Sequence, residues 1–193
     1  MTGQKNRFKT TEKLWNLDDK QLATPKHDAM VLWLMDTDNL QPLLEGFDDF
    51  KLDNFRSWEG HFEESVKEGT FFKIQSEVPL QAQNGFINGY ADLIIRKENI
   101  KNVEQIYGNR YMYDYSWFSC LIEIKPYIDS FGAVLRQLNS YKRFWGNKYD
   151  TRHIMLFTFD TRFDNQFESQ DIKVLHPPED ITVEDMMEMY GLR

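Results

Sequence analysis

The chain has 193 residues, with 31 acids against 23 bases, a net charge of −8 and an aromatic share of 15%. That length holds one domain with a full core, and the aromatic share excludes a disordered chain. The single cysteine, Cys120, excludes an internal disulfide framework and any four-cysteine zinc or iron–sulfur site within one chain.

No apolar run approaches the roughly 20 residues that cross a bilayer. The first residues, Met1 to Lys5, lack the apolar stretch of a signal peptide. The expectation is therefore a cytoplasmic protein without a membrane partner, folded as a single domain over 1–193, with residues 1–10 loose and the core over about 54–160.

In chain order, Thr11 to Leu22 reads as a short helix. Pro25 sits near the start of a second one, running to Met35. Asp36 to Asp53 is acidic and loop-rich, with a turn of helix at Leu40 to Leu44. The spacing of Phe55, Trp58, Phe62 and Val66 predicts a helix over 54–68, ended by Gly69. Strands follow at Phe71 to Leu80 and Phe86 to Ile95, joined by a turn at Asn84-Gly85. The polar, aromatic stretch from Arg96 to Trp117 has no clear placement.

A third strand covers Phe118 to Ile124 and stops at Pro126. Ser130 caps a helix that reaches about Trp145, with Phe131, Val134, Leu135 and Leu138 on its core face. His153 to Phe159 reads as a fourth strand and Asp171 to Leu175 as a short fifth. Thr182, with Asp185 three residues on, opens a C-terminal helix by a capping box. The central order is helix–strand–strand–strand–helix–strand, an α/β sandwich around one mixed sheet.

Two strands carry charge where burial is expected. Asp92 interrupts Tyr90 to Ile95, and Glu123 and Lys125 interrupt Cys120 to Lys125. Such groups are costly to bury unless they pair or hold a metal. Alternation places Tyr90, Asp92 and Ile94 on one sheet face, and Leu121, Glu123 and Lys125 on one face. If the strands are neighbours, two carboxylates and an ammonium converge at one end of the sheet. Oxygen ligands of this kind suit Mg²⁺ or Mn²⁺. Such a cation activates water and neutralises charge on a phosphate.

Asp92 followed by Glu123-Ile124-Lys125, in this element order, resembles the PD-(D/E)XK nuclease superfamily over roughly Phe55 to Phe159. Ala91 stands where the name-giving proline would sit. Gln137 and Tyr141 form Gln-x-x-x-Tyr on the helix after the third strand, which is similar to the RecB-like branch. The resemblance implies a restriction-endonuclease-like core (αβββαβ) with extra helices at both ends. It implies a Mg²⁺- or Mn²⁺-dependent deoxyribonuclease with Asp92, Glu123 and Lys125 catalytic, and Asp92, Glu123 and the Ile124 carbonyl on the metal. It also implies that Gln137 and Tyr141 position the DNA backbone.

Members often add an acid from the first core helix. On the expected 54–68 helix Glu59 lies nearest the apolar stripe, with Glu63 in reserve and Glu64 pointing away. Some RecB-like nucleases carry an iron–sulfur cluster on four cysteines; with Cys120 alone this chain is expected to carry none. The acidic net charge opposes a DNA partner, but Ser130 to His153 holds Arg136, Lys142, Arg143, Lys148 and Arg152 against one acid, Asp150. Arg136, Lys142 and Arg143 are the expected phosphate contacts. A homo-oligomer is compatible with the pattern.

Two other readings stand beside this one. The chain is a catalytically inactive member of the same fold that binds nucleic acid or a protein. Alternatively it is an unrelated interaction protein in which Glu123 and Lys125 form a cross-strand ion pair, and Asp92 then lies far from Glu123. His27, His61, His153 and His176 show no metal-ligand spacing and read as structural or surface residues, and Cys120 as a core residue. Tyr107, Tyr111, Tyr113 and Tyr115 form a Tyr-rich insertion able to stack on single-stranded bases if it lies beside the site.

Overall fold

The computed structural model describes residues 24–45, 56–61, 68–81, 87–108, 110–145 and 153–192. The expected helix over 11–22 and the Asn84-Gly85 turn lie outside them. Helix α1, Pro25–Met35, starts with proline in its first turn and ends where Asp36 turns extended. Every residue from Asp28 to Leu34 is buried, so this helix is apolar nearly all round and sits inside the protein. Helix α2, Thr37–Glu45, buries Leu40 and Leu44.

The strands are β1 (Arg56–His61), β2 (Gly69–Gln81), β3 (Ile87–Tyr107), β4 (Arg110–Lys125), β5 (His153–Thr158) and β6 (Lys173–Leu175). Helices α3 (Phe131–Trp145), α4 (Asp164–Glu168) and α5 (Val183–Met189) complete the chain. They form one mixed six-stranded sheet in the order β2-β3-β4-β5-β6, with β1 paired to β4. β2, β3 and β4 are antiparallel, whereas β4, β5 and β6 run parallel. A parallel pair needs a crossover, and α3 supplies it between β4 and β5.

β4 serves two neighbours on one edge. Arg110 to Tyr115 pair with β1, and Cys120 to Lys125 pair with β5. The second half is therefore central and must be apolar on both faces. On one face Leu93, Ile95, Cys120, Ile122, Ile124, Met155 and Phe157 pack under α1, α2 and α5, where the Trp33 and Phe157 rings stack at 5.8 Å. On the other, Ile94, Leu121, Ile154 and Leu156 pack under α3 and α4 through Val134, Leu138, Tyr141 and Phe167. The protein is an α/β sandwich of helices over both faces of the sheet, as the element pattern implies.

The capping box at α5 forms as expected: the Thr182 hydroxyl accepts the Asp185 N–H, and the Asp185 carboxylate accepts the Thr182 N–H. Thr182→Ala should cost about 1 kcal/mol, read as a lower midpoint in chemical denaturation with an unchanged slope. Ser130 stands before α3 with its Oγ 3.4 Å from the Ala133 N–H.

The helix expected over 54–68 is a correction. Residues 56–61 form strand β1, hydrogen-bonded antiparallel to the tyrosine-rich start of β4. Gly60 costs about 1 kcal/mol in a helix interior, and the edge of β4 offers ladder partners that a lone helix lacks. The helices ahead of the antiparallel strands are α1 and α2 instead. Arg96 to Trp117, unplaced from sequence, is the outer half of the β3–β4 hairpin, which turns at Gly108 with φ +55°.

Candidate active site

The β3–β4 ladder runs inward as far as Leu93 opposite Ile122. Continued by one step, the register sets Asp92 against Glu123. There the Asp92 side chain takes over from the ladder: its Oδ2 accepts the Ile124 N–H at 2.8 Å. Asp92 therefore does not lie far from Glu123, whereas the reading as an unrelated interaction protein expects it to, and Glu123 and Lys125 pair within one strand rather than across two.

Glu123 is 1% exposed. Its Oε1 accepts from Lys125 Nζ at 2.5 Å and from Gln137 Nε2 at 2.6 Å. Gln137 Nε2 also donates to the Tyr141 hydroxyl at 2.6 Å, and that hydroxyl donates to the Tyr90 carbonyl at 3.1 Å. One chain of hydrogen bonds thus joins Lys125, Glu123, Gln137, Tyr141 and the backbone of β3. The four-residue spacing on α3 makes this possible by putting both side chains on one helix edge. Tyr141 is at the same time a buried core residue, so packing fixes its ring.

The residue that sequence reasoning missed is His27. It lies in the first turn of α1, with Nε2 3.2 Å from Asp92 Oδ1 and Nδ1 3.2 Å from Asp28 Oδ1. Carboxylates only accept, so the ring donates on both sides. Burial would lower the His27 pKa, but hydrogen bonds to Asp28 and Asp92 and their charges outweigh it and raise it to about 9. Burial likewise acts to raise Asp92, yet His27, the Ile124 N–H and Lys125 hold its carboxyl below the usual range. Glu123 goes the other way: burial first, then the Asp92 charge, push it up to about 7. The two acids are thus driven apart, a pattern that marks functional sites more often than plain structural ones.

These groups line a cleft of about 480 Å³ between the start of α1 (Thr24 to His27), Asp92, the end of β4 (Glu123 to Pro126) and Gln137. Among the described residues, no group of three or more His, Cys, Asp and Glu side chains is spaced to hold a metal ion. Mg²⁺ does not require one, since it keeps several waters and binds through one or two carboxylates. The fit rests on Glu123 Oε2, a buried oxygen with no hydrogen-bond partner among the described residues. A buried, unpaired carboxylate oxygen is an acceptor that a cation would satisfy.

Other expected site residues fall elsewhere. Glu59 lies in β1 opposite Met112, eleven residues along β4 from Glu123, or roughly 35 Å at strand rise. It is not a carboxylate of this site. Glu63 lies outside the described residues. Lys142 Nζ donates to the Gln170 carbonyl, which ties it to the α4–β6 loop. Arg136 is exposed on α3, and the Arg143 side chain lies outside the described residues. The tyrosine insertion is not beside the cleft: Tyr107 to Tyr115 surround the far hairpin turn, with Tyr113 buried and Tyr115 bound to Arg96. Cys120 is buried with its thiol pushed up to about 12 by burial, so it is inert.

No protein-family model, curated protein or solved structure matches this chain.

Proposed function

We propose that the protein is a Mg²⁺- or Mn²⁺-dependent nuclease of the PD-(D/E)XK type that hydrolyses DNA phosphodiester bonds, on a restriction-endonuclease-like core. The observation that carries this is the hydrogen-bonded chain Lys125–Glu123–Gln137–Tyr141 beside Asp92, whose Lys125, Glu123 and Gln137 line one cleft with Asp92 near the start of β3 and the end of β4. Asp92, Glu123 and the Ile124 carbonyl would hold the cation, and His27 Nε2, beside Asp92 Oδ1, would add a nitrogen to that set once the cation displaces its proton. Bound there, the cation supplies charge neutralisation at the phosphate and a more acidic water.

The chain's own residues do the rest. Lys125, 28% exposed at its side chain, sets an ammonium at the cleft where it orients water and opposes charge on the phosphoryl oxygens. Gln137 holds Glu123 in a single rotamer by donating to Oε1. Tyr141 braces Gln137 against β3. Arg136, exposed on α3, would contact phosphate.

The second reading is a non-catalytic nucleic-acid or protein binder on the same framework. It is favoured by the engagement of three of the four Asp92 and Glu123 oxygens with other groups. Incubation with linear, circular and single-stranded DNA in Mg²⁺ and Mn²⁺ separates the two. The nuclease reading expects metal-dependent loss of at least one substrate, blocked by EDTA. Persistence of all three, with no Mn²⁺ binding by calorimetry, overturns the nuclease reading and favours the binder.

A further inference from the structure

Asp28 is unexplained by the site as described. It is fully buried in the first turn of α1, beneath the sheet face covered by Trp33 and its neighbours. An acid in a first helical turn commonly complements the helix dipole from the surface. Here the carboxylate is removed from water and, among the described residues, accepts one side-chain hydrogen bond, from His27 Nδ1 to Oδ1 at 3.2 Å. Its Oδ2 is buried and, among the described residues, has no hydrogen-bond partner. A buried acid with half its capacity unused costs stability unless its one contact matters.

The opposite ring nitrogen, Nε2, points to Asp92 Oδ1 at 3.2 Å. Asp28, His27 and Asp92 therefore form a line from the core to the cleft. The proline that starts α1 fixes the helix on which both His27 and Asp28 sit, so the line is held by backbone as well as packing.

We propose that Asp28 is a positioning residue: it holds the proton on His27 Nδ1 and orients the ring, so that Nε2 faces Asp92 and the cleft and ligates a divalent cation once the cation displaces the Nε2 proton. This rests on the nuclease reading for the presence of the cation. Partners of this kind fix the tautomer and ring orientation of a ligating histidine, and losing them costs about 10–100-fold in metal affinity.

The test combines Mn²⁺ calorimetry on the wild type and Asp28→Asn with ¹⁵N NMR of the His27 ring in wild type, with and without Mg²⁺. Asparagine keeps an acceptor for Nδ1–H but removes the charge. The expected result is about 10–100-fold weaker Mn²⁺ binding in Asp28→Asn, with unchanged circular dichroism. In wild type, Mg²⁺ should shift Nε2 while Nδ1 stays protonated. Equal Mn²⁺ affinity in the two proteins overturns the role of Asp28 and leaves the nuclease reading standing. Absence of Mn²⁺ binding in wild type overturns both. If Asp28→Asn fails to fold, the wild-type spectra decide: a shift at Nδ1, or none at Nε2, overturns the proposal.

Discussion

Lys125→Ala is expected to lower Mg²⁺-dependent DNA cleavage by about 10²–10³-fold, and Asp92→Asn by at least as much, with the fold retained in both. Lys125 brings the charged ammonium nearest to Glu123, at 2.5 Å. Removing it takes away a preorganised positive group, and such groups act on charge that develops in the transition state. Asp92→Asn is the gentler structural probe, since its amide oxygen still accepts the Ile124 N–H that closes the end of the ladder. It loses the negative charge that faces His27 and the cleft. The measurement is single-turnover cleavage of labelled DNA at saturating Mg²⁺, with far-ultraviolet circular dichroism as the control for folding. Wild-type rates in either variant would sink the nuclease assignment.

Much of this site was legible in the sequence because its residues break a rule that the strands otherwise obey. Charges at Asp92, Glu123 and Lys125 stand out against the apolar runs of β3 and β4, and period-two alternation gives their faces. Gln137 and Tyr141 stood out through the resemblance to a Gln-x-x-x-Tyr motif, and helical spacing puts the two on one edge. His27 was not legible. Its contact with Asp92 is made between α1 and β3, and nothing in local spacing reports which helix end meets which strand. The available hint was His27-Asp28 in the first turn after a helix-starting proline, Pro25.

Glu59 failed for a related reason. Phe55, Trp58, Phe62 and Val66 have helical spacing, but β1 forms because β4 is long enough to offer a second stretch of edge beyond β5. A neighbour that comes from far along the chain overrode the local pattern. The length of the β3–β4 hairpin was hidden in the same way. Its outer half alternates polar and aromatic side chains without an apolar core face, so periodicity is faint there.

Glu123→Gln is expected to abolish cleavage and yet raise the melting temperature of the metal-free protein at pH 8. Burial and the Asp92 charge lift the Glu123 pKa to about 7 from a usual 4.5, so the fold prefers the protonated form. Its contribution to stability is complete below pH 4.5 and is lost as pH rises through 7. His27, lifted to about 9 from 6.5, keeps its contribution below pH 6.5 and loses it as pH rises through 9. Both losses run in the same direction, so the metal-free protein should melt at progressively lower temperature from pH 5 to pH 9. Asp92, and Asp160 after β5, whose carboxylate accepts from the Arg162 guanidinium, have lowered pKa values and act oppositely; their contribution is lost only in acid below the ordinary carboxylate range. Glutamine cannot ionise and removes the Glu123 step, a gain bounded at about 3 kcal/mol, or roughly 6–12 °C for a chain of this size. Its amide nitrogen in place of the orphaned Oε2 keeps the gain below that bound. Mg²⁺ should raise the wild-type melting temperature at pH 8 through binding to the folded state, and leave Glu123→Gln nearly unmoved. A wild-type protein that melts higher at pH 9 than at pH 5, or a Glu123→Gln protein that melts lower than wild type at pH 8, would show that the cleft does not hold Glu123 against ionisation.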